Sequence, residues 1–180
     1  MTATEVLKHE HRLILHVLDA AHRIISALKT TGKMDRARLE KLLAFFQTFV
    51  EACHNAKEEE YLFPKVVERG RLEEKTMVAD LLGDHDMGRR LVQAMAASLG
   101  AAGGPAAPAR LVEDLTAYRQ LLKDHIDRED NAFFPRVDRL FTADDQKQLL
   151  ESFARHEAEE IGEGVHEKYE KLARELAEGP

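Results

Sequence analysis

An all-α fold is predicted: four helices packed up-down-up-down, with an additional long C-terminal helix. Three features predict it. Apolar residues recur at helical spacing along nearly the whole chain, β-branched alternation is absent, and the periodic runs are separated by short breaks. A length of 180 residues suits one domain with a full apolar core. Residues 1–180 are therefore read as a single domain, the four-helix part over about 4–140 and the extra helix over about 142–177.

The first helix spans Thr4 to Leu28, where Leu7, Ile14, Leu15, Leu18, Ile25 and Leu28 mark one face. The segment TTGKMD breaks it. The second runs from Arg38 to roughly Leu62 on Leu39, Leu42, Leu43, Phe46, Phe49 and Val50. Pro64 lacks a backbone donor and its ring crowds the preceding turn, so this helix is expected to bend or end there. After a turn around Gly70, the third helix covers Leu72 to about Leu99. GAAGGPAAPA then stops all periodicity, and its Gly and Pro content marks a linker. The fourth helix extends from about Arg110 to Phe133, ending at a second Phe-Pro. Thr142 followed by Asp145 is a capping-box pattern with Asp in place of Glu, and it opens the fifth helix to about Leu176.

Composition narrows the function. A net charge of −7 without a dense Lys/Arg cluster argues against a phosphate-tracking surface, so nucleic acid is not an expected partner. The opening MTATEVLKHEHRLIL carries charge where a signal peptide needs an apolar run, and no later segment approaches a bilayer span. With one cysteine, Cys53, no internal disulfide forms, which fits a reducing compartment. A cytoplasmic protein without membrane attachment is expected.

The chain says one thing twice. HNAKEEEYLFP, from His54 to Pro64, returns as HIDREDNAFFP, from His125 to Pro135. Both read His, three residues, Glu, four residues, Phe-Pro, with Lys57 matched by Arg128 and Glu59 by Asp130. Upstream, Glu10-His11 is matched by Asp84-His85. Each half thus gives a lone His and, 43 or 40 residues later, a His-x-x-x-Glu. A helix-turn-helix pair of that length brings both to one level.

The spacing explains the residue types. Four positions along a helix turn by about 400°, so His54 and Glu58 share a face about 6 Å apart along the axis. Imidazole suits iron, zinc and other first-row metals, and a carboxylate spans two ions while offsetting their charge. Two halves face to face would gather four imidazoles and two carboxylates, leaving positions open on two octahedral ions for oxygen, peroxide, nitric oxide or water. Phe63 and Phe134 are candidates for dry walls around the pocket.

With EHRLIL at Glu10 to Leu15 and DHDMGRRL at Asp84 to Leu91, these motifs span most of residues 5–140, and the chain resembles the hemerythrin-like, or HHE cation-binding, family. The resemblance implies an up-down four-helix bundle around two non-haem iron ions, oxo- or hydroxo-bridged, with zinc or manganese as substitutes. Carried over by position, the ligands would be His11, His54, Glu58, His85, His125 and Glu129, with Glu58 and Glu129 bridging. Oxygen-carrying members have a second His four residues after the third-helix ligand; here that place is Arg89, a donor only. Asp130 occupies the place of the carriers' aspartate, directly after Glu129, and the choice of Glu129 rests on its symmetry with Glu58. The closer branch includes iron-centre repair and iron-sensing proteins. Three functions follow: a module that binds or senses O2, NO or iron, a di-iron enzyme consuming peroxide, O2 or NO, and iron storage or a zinc-filled structural bundle. A homodimer through the fifth helix is a further expectation.

That helix adds Glu163 and His166, a Glu-x-x-His pair of the kind that binds metal in ferritin-like bundles. Gly162 and Gly164 flank the glutamate at a cost of roughly 1 kcal/mol each in a helix. Glu163, His166 or both are expected to complete the coordination over the open end of the site or to support its ligands from behind; the alternative is an amphipathic helix whose glycines make contacts or a kink. His16 is read as a surface or supporting residue, His22 as a core or end-cap histidine, and His9 and His156 as solvent-facing. Cys53 is read as a small buried hydrophobe, Tyr61, Tyr118 and Tyr169 as packing residues, and Lys57, Glu59 and Glu60 as a solvated face.

Overall fold

The Thr2 hydroxyl accepts from the Glu5 amide while the Glu5 carboxylate accepts from the Thr2 amide, and this capping box starts helix α1, Ala3–Thr31. Gly32, at φ 67°, ends it in the left-handed conformation that glycine adopts without a Cβ penalty. The computed structural model describes residues 1–100 and 106–178, and no strand occurs among them. Among the described residues the fold is all-helical in class.

Helix α2, Arg36–Phe45, runs on through wide π-helical turns at Phe46–Asn55 and Glu58–Leu62 into α3, Phe63–Arg69. The expected stop or bend at Pro64 is therefore not a stop. The amide of Phe63 bonds to the Glu58 carbonyl, five residues back, so the helix is widened where the proline ring would meet the carbonyl four residues before it. The second Phe-Pro repeats this device. Helix α5, Ala107–Arg128, passes through π turns at Glu129–Phe133 into α6, Phe134–Leu140, with the Phe134 amide on the Glu129 carbonyl. The fourth predicted helix thus outlasts its expected end at Phe133. Between these runs lies α4, Leu72–Gly100. Of the predicted linker, residues 101–105 lie outside the described residues, and Ala107 to Ala109 are already helical.

The fifth predicted helix is two. The Thr142–Asp145 capping box opens α7, Ala143–His156, which passes into π turns at Glu157–Gly162. Gly162 (φ 100°) and Gly164 (φ 78°) then break the chain direction before α8, Val165–Glu178. The glycine cost foreseen for one continuous helix is absent, because both glycines serve a turn that other residues enter only with strain.

Side-chain pairs give the relative directions. Along α1 and α5, His11 meets Asp130 and Leu18 meets Arg119; along α4 and α5, Asp84 meets His125 and Gly88 meets Tyr118. Both pairs run antiparallel. The α4 residues His85 and Arg89 meet Glu59 and Glu51 on the second helical run, again antiparallel. Helix α8 lies along α1, with His9 near Glu170 and Arg23 on the Ala177 carbonyl.

The core is in two parts. One cluster includes Ile14, Val50, Phe46, Val92, Tyr118 and Leu122; the other includes Leu7, Leu62, Phe63, Leu81, Phe133 and Phe153. His11, His54, His85 and His125 all fall between flanking members of the two, so a polar layer separates them. Apolar burial on both sides fixes the helices that carry these polar groups.

Candidate metal centre

The four imidazoles of that layer are each at most 2 % exposed, and Glu58 and Glu129 are fully buried. Each ring turns its Nε2 inward. His11 Nε2 lies 3.1 Å from His54 Nε2, and His85 Nε2 lies 3.2 Å from His125 Nε2. Glu129 Oε2 approaches His11 Nε2 at 3.2 Å and His125 Nε2 at 3.1 Å, whereas Glu58 Oε2 approaches His85 Nε2 at 3.4 Å and His54 Nε2 at 3.8 Å. None of these carboxylate contacts has hydrogen-bond alignment, and all four oxygens of Glu58 and Glu129 lack a hydrogen-bond partner.

Outward, every Nδ1 faces a carboxylate: His11 on Asp130 (2.8 Å), His54 on Glu10 (2.8 Å), His85 on Glu59 (2.7 Å) and His125 on Asp84 (3.2 Å). An acidic oxygen there accepts a hydrogen bond from the Nδ1–H and leaves the Nε2 lone pair pointing inward. Six groups then present acceptors to one another with no donor among them. An uncompensated buried carboxylate costs several kcal/mol, so this arrangement calls for positive charge at its centre.

The ligand-capable atoms form two sets, each within 4.8 Å: His11, His54, Glu58 and Glu129, and Glu58, His85, His125 and Glu129. Both glutamates belong to both sets. The donor types, nitrogen and oxygen with two shared carboxylates, fit two first-row metal ions. The outer ring repeats as the motif does, with Glu10 and Asp84 each preceding a lone His and Glu59 and Asp130 each following a motif Glu. Asp130 thus backs His11, and Glu129 supplies the inward oxygens.

Without a cation, protons would supply the positive charge. Burial works to lower the His11 pKa, but Asp130 and Glu129 outweigh it and raise it to about 9. His85, beside Glu58 and Glu59, is likewise raised to about 9 against burial, and His125, beside Glu129 and Asp84, to about 10. Burial would raise Glu129, yet the imidazoliums of His125 and His11 hold it well below the usual carboxylate range.

Phe134 stacks on the His11 ring at 5.5 Å and Phe63 on the His85 ring at 5.8 Å, walling the layer with apolar surface. Arg89 donates to Glu59 (2.8 Å), Glu51 and Asp86, and so supports the carboxylate behind His85.

The model of the hemerythrin HHE cation-binding domain matches residues 2–137. The chain belongs to the hemerythrin HHE family. It is also similar to uncharacterized proteins of Mycobacterium tuberculosis and Mycobacterium bovis, 30% identical over 176 residues that cover 96% of this chain and 68% of theirs. No solved structure matches. In this hemerythrin-family chain, cation binding is thus supported by sequence family and by donor set alike.

Several readings need correction. Glu163 sits exposed in the turn between α7 and α8 and belongs to neither of the ligand sets that hold the six. His166 does not join the six as a ligand; it stands behind them, with Nδ1 3.9 Å from Glu10, the carboxylate that backs His54, and 3.5 Å from both Cys53 Sγ and Glu157. The broken helix direction at Gly162 to Gly164 separates the pair. Lys57, read as solvated, is fully buried and donates to both Glu10 and Glu157. Burial tends to lower its pKa, but Glu10 reverses that and raises it. Glu10, despite burial, is held down to about 2 by His54 and Lys57. Glu59 is also no free surface group, since it backs His85. His156 is buried, not solvent-facing, and His22 is exposed rather than a core or end-cap histidine. Cys53 is buried, its thiol pushed up to about 12 by burial, and His16 is exposed.

The outer carboxylates are the functional residues that the ligand spacing alone did not reveal. The matched pairs Glu10/Asp84 and Glu59/Asp130 were the available signal.

Proposed function

We propose that this chain is a single-domain, non-haem di-iron protein built on an up-down-up-down four-helix bundle that binds or senses O2, NO or iron. The observation carrying this reading is the donor-free layer of six buried acceptors, divided into two sets that share Glu58 and Glu129. His11 and His54 would hold one ion, His85 and His125 the other, and both glutamates would bridge. Bound iron supplies one-electron redox chemistry and open positions for a small diatomic molecule or peroxide.

The chain's own residues set the conditions. Asp130, Glu10, Glu59 and Asp84 accept hydrogen bonds from the Nδ1 protons and orient the rings with Nε2 inward. Phe63 and Phe134 keep bulk water off the ring faces. Lys57 places a fixed positive charge on Glu10, behind His54, without entering the layer itself.

The second reading is a di-iron enzyme that consumes peroxide, O2 or NO in stress defence or iron-centre repair. Arg89, where oxygen carriers have a further histidine, favours keeping it, because one nitrogen ligand fewer leaves more of a metal open. A cytoplasmic setting and a homodimer are consistent with either. Metal analysis of protein purified without added metal, followed by anaerobic stopped-flow of the ferrous form, tests both. About two irons per chain with a reversible absorbance change on O2 supports the first; sustained peroxide turnover supports the second. Zinc content with no reactivity overturns both.

A further inference from the structure

A second polar constellation lies outside the layer of six, where the π turns of Glu58–Leu62 and Glu157–Gly162 present Glu60 and Glu160 beside His156. His156 Nε2 lies 2.9 Å from the Ala52 carbonyl. A carbonyl only accepts, so Nε2 carries the proton and donates. In the neutral ring the lone pair is therefore on Nδ1. That atom is buried without a hydrogen-bond partner, on a side chain only 2 % exposed. It faces Glu160 Oε2 at 3.5 Å, too long for a good hydrogen bond, and lies within 4.8 Å of a Glu60 oxygen as well. Glu60 and Glu160 are both exposed.

Three acceptors thus converge with no donor among them, though the Tyr61 hydroxyl is a neighbour that bonds to Glu60, and one of the three is a buried nitrogen whose tautomer is fixed by a main-chain bond. Metal-ligating histidines are oriented in this way, with the other ring N–H on a carbonyl or carboxylate. We propose that Glu60, His156 and Glu160 form an accessory site for a divalent first-row cation, zinc or ferrous iron, distinct from the six-residue centre. The nitrogen ligand selects such a cation over magnesium or calcium, which prefer oxygen throughout. Three protein ligands with two exposed carboxylates leave the remaining positions to water, so the ion would be exchangeable from solution. Tyr61, whose ring lies edge-on to His156 at 5.8 Å, shields one side of the imidazole. The proposal does not depend on what fills the inner centre.

Zinc is the probe. Equilibrium dialysis of the full chain against zinc, with metal analysis, should give one equivalent more per chain in the unaltered protein than in His156→Gln. Glu60→Gln/Glu160→Gln, which alters only exposed side chains, should lose the same equivalent while keeping its helical circular dichroism. Glu58→Gln/Glu129→Gln should retain it, which separates this site from the inner one. In 15N spectra of the imidazoles, zinc should move His156 Nδ1 and leave Nε2 protonated. Equal zinc content and affinity in the unaltered protein and the Glu60/Glu160 variant would overturn the proposal.

Discussion

Glu10 accepts a hydrogen bond from His54 Nδ1 at 2.8 Å across 44 positions of sequence, so the residue before one imidazole of the centre sets the proton of another. Asp84 stands to His125 in the same relation. Glu10→Gln removes the carboxylate charge that orients the His54 ring, and metal affinity should fall about 10–100-fold, with Asp84→Asn acting alike. Competition against a chelator of known affinity measures it; unchanged affinity in both variants refutes the role given to these carboxylates.

Lys57 is fully buried between Glu10 and Glu157. Lys57→Met leaves Glu10 with His54 and, at 3.9 Å, His166, and leaves Glu157 with His166 at 3.5 Å. Breaking a buried pair from one side costs about 3–5 kcal/mol, less here because Glu157 reaches water. A loss of roughly 2–3 kcal/mol is expected on this basis in denaturant unfolding. A loss below about 0.5 kcal/mol would return Lys57 to the class of ordinary surface charges.

Removal of an inward group should strip metal. Glu58→Gln and His125→Ala should each lower metal content sharply, whereas His16→Ala, at an exposed position on α1, should leave it unchanged. Metal analysis after purification gives the answer.

The metal-free protein should lose stability on the alkaline side. His11, His85 and His125 have folded pKa values raised to about 9, 9 and 10, above the ordinary 6.5. Their protonation therefore stabilises the fold fully below about pH 6.5, and that contribution disappears as pH rises through 9 to 10. Melting temperature should fall by at least about 3 °C between pH 7 and 10 without metal. Loaded protein should lack that fall, because cations replace the protons and bind more tightly as pH rises.

Two glycine substitutions should have opposite signs. Gly83 lies inside α4 with open space where a Cβ would go, and Gly83→Ala should stabilise by about 0.5–1 kcal/mol. Gly164 has φ 78°, and Gly164→Ala should cost about 1–2 kcal/mol. Thermal melts of the two variants suffice.

The convergence of His11, His54, Glu58, His85, His125 and Glu129 was legible because a doubled helical motif fixes both face and level. Helix existence was equally legible from apolar periodicity. Lys57 was not, since its burial depends on Glu10 and Glu157, distant in sequence, and local pattern shows only a charged residue in a charged run. His156 is hidden for the same reason: its partner is the main chain at Ala52. The Phe-Pro steps misled in another way. Proline ends an ordinary helical turn, but a turn widened by one residue carries the chain past it to Arg69 and Leu140. At Gly162 and Gly164 the unusual composition was visible, and of its two meanings, close approach or a kink, the change of direction is the one found.

Because Glu58 and Glu129 each belong to both ligand sets, the two halves of the polypeptide are cross-wired at their centre. Neither half assembled by itself would own a complete cage: the first would offer three imidazole or carboxylate groups to an ion and the second likewise, each waiting on an oxygen from its sibling. A chain severed between α4 and α5 should therefore bind metal only after the fragments have reunited.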